Sequence, residues 1–406
     1  MPIRRPRELR PATRGTPRAI NQQIVLGLLR SHQGMSRAAL ARRLGMQRSA
    51  IGRIVADLIA RGLVCESPAP TTSRGRRPTL LRLDSRERCA VAVDVRVTRT
   101  YLAVTDLVGR ELSAVESFST DRDPRDFLEH LAHEVRRILA ENPGAGACQG
   151  VGVAFPGMLD RSGDLVVHSP TLGWRNVLLR EPLSQALGLP VAMENAVKAW
   201  ALAQVWALPA ESPARDMVLV NVSDGVGVGV VIGGEVLRGR HNVAGEFGHL
   251  PLSVDGPRCA CGATGCWEAY VSNLATLSRY VGRPVEPGQP VPAEVARLSV
   301  EEVVARARKG DAKALHALLS TAHYLGLGLA SVVNALDPDR IYIGGEIAAA
   351  WDLVEPAVRA ALAQRALVAA AADVNITVVA AQEHPRLRGA TALVGAPILG
   401  TQVVIA

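Results

Sequence analysis

Four potential metal ligands crowd the stretch GEFGHLPLSVDGPRCACGATGC, Gly245–Cys266: His249, Cys259, Cys261 and Cys266 fall within 18 residues. The spacing His-x9-Cys-x-Cys-x4-Cys constrains this chain more than any other part of it. One imidazole and three thiolates form a complete tetrahedral shell for Zn²⁺, with no position left for a reactive water. Gly256, Gly262 and Gly265 let the backbone turn tightly enough for the four side chains to converge. The chemistry points to a structural zinc clip rather than a catalytic metal centre. Cys65, Cys89 and Cys148 are scattered, so the six cysteines read as a metal site plus isolated thiols, not a disulfide framework.

Charge divides the chain. The net charge is +8, yet the first 90 residues hold 19 arginines, no lysine and only five acidic residues, and the remainder is net negative. A basic head on an acidic body is expected where the head meets a polyanion. From Asn21 the head reads NQQIVLGLLRSHQGMSRAALARRLGMQRSAIGRIVADLIARGLVCES. Ile24, Leu28 and Leu29 share one helical face, and Ser36 can cap a second helix through Ala39, Leu40 and Leu44. Gly45 then supplies a tight turn, and a third helix follows with Ile51, Ile54, Val55, Leu58 and Ile59 turned inward. Ala41, Gly45 and Ile51 keep helix-turn-helix spacing: a small residue at the crossing, a glycine in the turn, an aliphatic locking the second helix. Gln47, Arg48, Ser49 and Arg53 on the other face are side chains that reach base edges or phosphates. Two strand-like pieces, LVCES and TLLRLD, flank PAPTTSRGRRP. This predicts a wing with Arg74, Arg76 and Arg77 at its tip, placed for the minor groove or for phosphates. The expected partner of the head is double-stranded DNA.

Beyond Arg88 the pattern becomes strand-turn-strand followed by helix, and it recurs, which predicts an α/β body. The whole chain from about residue 20 resembles the ROK family of bacterial sugar kinases and sugar-responsive repressors. The head matches the repressor branch, including the wing residues Gly75-Arg76-Arg77-Pro78, and Gly248-His249, the three clustered cysteines and Glu268 match the body. The resemblance implies a winged helix-turn-helix plus a two-lobed actin/hexokinase-like (ribonuclease H-like) body. It implies a disordered basic tail over 1–19 and a DNA-binding domain over 20–84. A first lobe is expected over 85–205, completed by about 388–406, and a second lobe with the zinc loop over 206–387. It also gives His249 two duties, zinc ligand and sugar contact, and makes Asn195, Glu246 and Glu268 sugar-hydroxyl ligands. Phe155–Asp160 and Pro170–Trp174 match further sugar-cleft segments, with Thr171 where an asparagine is common.

Kinases of this family carry a phosphate loop resembling Asp-x-Gly-Gly-Thr. Here the chain reads Asp94-Val95-Arg96-Val97-Thr98, so Arg96 and Val97 replace both glycines. Backbone close to phosphate needs glycine, and β-branched Val97 cannot take its conformations cheaply. The kinases also resemble one another in Glu-Asn-Asp-Ala-Asn, whose aspartate is the base; this chain reads Glu194-Asn195-Ala196-Val197-Lys198. A methyl group accepts no proton, so general-base assistance of typically ~10²–10⁴-fold is lost at Ala196. The glycine-rich Ser223–Gly229 and Gly344-Gly345 survive.

The sequence therefore predicts a sugar-responsive DNA-binding regulator, most simply a repressor, with a catalytically inactive kinase-like body. A sugar or sugar phosphate binds between the lobes and lowers affinity for a palindromic operator held by a homodimer or homotetramer. A DNA-tethered sugar kinase, and a regulator controlled by a protein partner, are the alternatives. The N-terminus lacks the apolar run of a signal sequence, and no apolar run reaches the ~18 residues of a spanning helix. The expectation is a cytoplasmic protein with no membrane partner.

Overall fold

A computed structural model describes residues 18–32, 34–68, 79–84, 87–208, 215–285 and 289–399. The head packs three helices, α1 (Arg18–Ser31), α2 (Arg37–Leu44) and α3 (Arg48–Ala60), against the antiparallel pair β1 (Val64–Pro68) and β2 (Thr79–Leu83). Ser36 caps α2 by accepting from the Ala39 amide at 3.1 Å, and Gly45 ends it in the left-handed conformation, φ 60°. Ile51, Ile54, Val55 and Leu58 are buried as their spacing requires, but Ile59 is exposed. Ile59 lies beside the fully buried Leu58 but turns to the solvent side of α3. Arg18 and Ala19, expected in the disordered tail, form the first turn of α1. The wing tip with Arg74, Arg76 and Arg77 lies outside the described residues.

The body is one topology used twice. In the first lobe β3 (Arg88–Val95), β4 (Arg99–Asp106), β5 (Glu116–Ser119), β6 (Ala147–Phe155) and β10 (Val191–Asn195) stand in the order β10-β6-β3-β4-β5. Helix α4 (Pro124–Glu141) follows β5. A small sheet of β7 (Met158–Leu159), β8 (Leu165–Ser169) and β9 (Trp174–Leu178), then helix α5 (Arg180–Leu187), fill the interval between β6 and β10. In the second lobe β11 (Met217–Val222), β12 (Val226–Ile232), β13 (Glu235–Val236), β14 (Arg340–Gly345) and β15 (Asn375–Val378) repeat the arrangement as β13-β12-β11-β14-β15. Both sheets have an antiparallel hairpin on one side and parallel strands on the other. The buried strands are almost continuous Val, Ala, Ile and Leu, as expected for a sheet covered on both faces.

The second lobe inserts α7 (Trp267–Val271), α8 (Asn273–Val281), α9 (Ala293–Ala296), α10 (Val300–Arg308) and α11 (Ala312–Leu336) between β13 and β14. Helices α12 (Trp351–Arg365) and α13 (Ala369–Ala372) lie between β14 and β15. By length and composition α11 could cross a membrane, but it is the core helix of this lobe, packed on α12, α10, α7 and α8.

Each lobe ends in a helix that serves the other. Helix α6 (Ala196–Ala207), which continues from β10, lies across β11, β12 and β13 of the second sheet. Helix α14 (Pro385–Leu399), which follows β15, lies across β3, β6 and β10 of the first. The two helices pack on each other so closely that a Cβ on Gly389 of α14 would stand 2.5 Å from the Ala199 carbonyl carbon of α6. The expected lobe boundary at 205–206 thus falls inside α6, a helix that both lobes share.

Candidate sugar and metal site

The repeat sets two hairpin turns face to face across a cleft: Arg96–Thr98 between β3 and β4, and Ser223–Gly225 between β11 and β12. The cleft is open to solvent on one side and spans about 740 Å³, that open space included. Its walls include Asn195, Glu246, His249 and Glu268 at one end and Arg96 and Arg386 at the other.

The zinc-loop residues converge as their spacing requires. One ligand atom from each of His249, Cys259, Cys261 and Cys266 lies within 4.8 Å of all the others. The Cys261 and Cys266 sulfurs are 3.7 Å apart, and Cys259 Sγ is 3.7 Å from His249 Nδ1. Zn–S bonds of ~2.3 Å in a tetrahedron separate sulfurs by ~3.8 Å, so donor set and spacing both fit Zn²⁺. The loop is drawn tight where the Cys259 amide donates to the Ala263 carbonyl, and at Gly265, φ 70°, where a Cβ would collide with the Ser253 carbonyl. Burial, reinforced by Glu268, pushes the Cys259 thiol well above its ordinary pKa. A bound cation would supply the compensation that a thiolate there needs.

Glu268 connects this loop to the cleft. Its Oε2 accepts from the Val226 amide at 2.9 Å, and its Oε1 accepts from the Cys259 thiol at 3.3 Å. Asn195 is the N-cap of α6: Oδ1 accepts from the Val197 and Lys198 amides, and Nδ2 donates to the Gly157 carbonyl at 2.9 Å. Glu246 is half-buried, and burial raises its pKa against the opposing pull of Lys198 and His249. The four expected sugar residues therefore share one wall.

Lys198 was not expected. It stands where the kinase pattern has its second asparagine, is 1 % exposed, and donates to the Asn242 carbonyl. Burial lowers its pKa, while Glu246 and Glu194 raise it. An amphipathic reading makes a lysine in the first turn of a helix solvent-facing; only the shared role of α6 buries it.

At the other end of the cleft the side chains form an ion-pair cluster. Asp94, the retained acid of the loop, is 1 % exposed and clamped by two guanidiniums: Arg96 Nε at 2.9 Å and Arg386 Nε at 3.0 Å. Arg96 also reaches across the cleft to Glu346 at 3.8 Å and stacks on Tyr101. Arg386 opens α14, about 290 residues from Asp94, a pairing that sequence spacing gives no hint of. Ala196 lines the cleft and is 3 % exposed. Glu194, the nearest carboxylate in the chain, turns away from it to accept from Arg238 at 2.9 Å and from the Asn195 amide at 2.9 Å.

On the head, Gln47 caps α3 in extended conformation, and Arg48, Ser49 and Arg53 project from the first two turns. All four are exposed on the face opposite the buried Ile51, Val55 and Leu58.

Fold and cleft together define a class: two repeated α/β lobes of the actin/hexokinase-like kind, preceded by a winged helix-turn-helix. The ROK family pattern matches residues 90–396 and the MarR family pattern residues 15–75. The chain belongs to the ROK family. It is similar to the xylose repressor of Bacillus subtilis, 27 % identical over 350 residues, 85 % of this chain and 87 % of that protein. The crystal structure of a ROK family transcriptional regulator, homologue of the Escherichia coli MLC protein, superposes with a TM-score of 0.77 at 26 % identity, covering 94 % of this chain and 96 % of that one. A ROK family glucokinase from Streptomyces griseus, solved with glucose and AMPPNP, gives 0.62 at 26 % identity over 77 % of this chain and 99 % of its own. The regulator thus covers a larger share of this chain than the glucokinase does.

Proposed function

We propose that this protein is a sugar-responsive transcriptional repressor whose body no longer phosphorylates the sugar it binds. One observation supports the reading: Asn195, Glu246, His249 and Glu268 line the cleft together, while Asp94 is held by the Arg96–Asp94–Arg386 clamp. Asn195, Glu246, His249 and Glu268 hold sugar hydroxyls, since carboxylates accept hydrogen bonds and amides both accept and donate. Zn²⁺ on His249, Cys259, Cys261 and Cys266 fixes the loop that presents Glu268 and orients the histidine ring. Gln47, Arg48, Ser49 and Arg53 enter the operator. A two-fold dimer reads a palindrome with half-sites one or more helical turns apart. Sugar acts by preferring the body conformation whose heads no longer match those half-sites; a ~100-fold release needs only ~2.7 kcal/mol of coupling.

Two features support the loss of kinase activity: Asp94 is held by two guanidiniums, and Ala196 stands where the kinases of the family resemble one another in an aspartate. The test is operator binding by the purified protein, using DNA from upstream of its own coding region, with D-xylose, D-glucose or glucose 6-phosphate, each with and without Mg-ATP. One of these compounds is expected to release the DNA and raise the melting temperature, with no further effect of ATP. ATP-dependent sugar phosphorylation, or no response to any sugar, would overturn the reading.

A further inference from the structure

The head is not a free appendage. Its core and the core between the lobes form one buried cluster, from Ile24, Leu28 and Leu44 in the head to Ala199, Trp206 and Leu393 in α6 and α14. At the contact, the guanidinium of Arg30, in the last turn of α1, lies 5.2 Å from the centroid of the Trp206 ring. Trp206 is buried, and its far side backs onto α14, where a Cβ on Gly395 would stand 2.8 Å from the ring. Nε and Nη1 of Arg30 are buried and have no hydrogen-bond partner among the described residues. Burial lowers the Arg30 pKa to about 10. Two buried guanidinium nitrogens without an acceptor among the described residues are unfavourable, and an aromatic face compensates only part of that.

Trp206 stands at one end of α6, and the cleft lies at the other. Asn195 caps the helix, and Asn195, Ala196 and Val197 line the cleft. A helix of 12 residues spans ~18 Å and moves as a rod. We propose that Arg30 and Trp206 form the joint through which a ligand in the cleft controls the DNA-binding head. This rests on the sugar-repressor reading above. A sugar hydroxyl that competes for the Asn195 amide shifts the start of α6; the far end then carries Trp206 from beneath Arg30, and the guanidinium regains water. The docked head is the operator-competent state, and sugar favours the undocked one through its difference in affinity between the two.

The test measures operator affinity of the full chain with and without D-xylose or D-glucose, for wild type, Trp206→Ala and Arg30→Met. Trp206→Ala weakens docking, so sugar-free operator affinity falls by about 10- to 30-fold while affinity at saturating sugar stays unchanged. Arg30→Met exchanges a guanidinium, two of whose nitrogens lack an acceptor among the described residues, for an apolar chain of similar reach, so the head docks more firmly and half-release needs about tenfold more sugar. Arg30→Met leaves no large void and keeps the test open should Trp206→Ala fail to fold. Opposite shifts support the joint; release ratios within about twofold of wild type in both variants, or shifts in the same direction, overturn it. If wild type responds to neither sugar, the repressor reading fails and the joint is tested by Asn195→Ala. The effect of that substitution on operator affinity vanishes in a Trp206→Ala background if the joint exists and persists if it does not.

Discussion

Replacing Cys266 by serine tests how far the metal loop supports the sugar wall. Cys266 is 1 % exposed, and it precedes two residues with different tasks. Trp267 is sunk into the second-lobe core, where its indole donates to the Tyr324 carbonyl at 3.0 Å. Glu268 holds the Val226 amide and the Cys259 thiol. Loss of one thiolate leaves three donors, too few for a closed structural site. Trp267 keeps α7 in place, so the lobe stays folded. What is released is the loop of residues 250–265 and, with it, the orientation of His249 and the partner of Glu268 Oε1. Residues that act by orienting others at metal sites are worth about 10- to 100-fold, or ~1.4–2.7 kcal/mol. Cys266→Ser is therefore expected to lose its zinc and bind the effector sugar about 10- to 100-fold more weakly, while operator affinity without sugar stays within about threefold. Elemental analysis reads the metal and calorimetry the sugar. A variant shown to be free of zinc with unchanged sugar affinity would refute the link between clip and wall.

Further outcomes follow from the same geometry. Ala196→Asp alone restores no ATP-dependent phosphorylation, because Asp94 remains clamped; measurable turnover in that single variant would contradict that role of the clamp. Glu246 accepts from sugar hydroxyls more strongly when ionised, and its pKa lies above the ordinary 4.5. Sugar affinity should accordingly fall on acidification while pH is still above 4.5, and Glu246→Gln should flatten that profile in calorimetric titrations. Arg48→Ala and Arg53→Ala should each weaken operator binding and, where the contact is to phosphate, reduce the salt slope by about one, with melting unchanged; unaltered affinity removes the residue from the interface. Gly328→Ala places a Cβ 2.0 Å from the rigid Trp267 indole, so urea unfolding should show a loss of ~1–3 kcal/mol.

Local patterns were legible where the chemistry is local. Ser36 and Gly45 mark the boundaries of α2, and four metal ligands in one loop announce their own convergence. Ile59 was misplaced because periodicity tells which residues share a face but not how wide the covered stripe of that face is. Lys198 and Arg386 escaped notice for a different reason. Each owes its environment to a contact between segments far apart in the chain: α6 buried beneath the opposite lobe's sheet, and α14 brought back to Asp94. Ala196 and Arg96 spoke against phosphoryl transfer by residue type alone, but the clamp around Asp94 needed the fold.

The exchange of final helices between the lobes also bears on how the molecule is made. The first sheet is complete once β10 has been synthesised, yet one face lacks its cover until α14 arrives, about 190 residues later. The head leaves the ribosome well before the rest of its seat, because α14 follows α1 by about 350 residues. Contacts between the two ends of a chain form late, because the intervening loop must close before they count. A translation product that stops before α14 can carry a complete recognition helix and still lack part of the surface on which the head is seated.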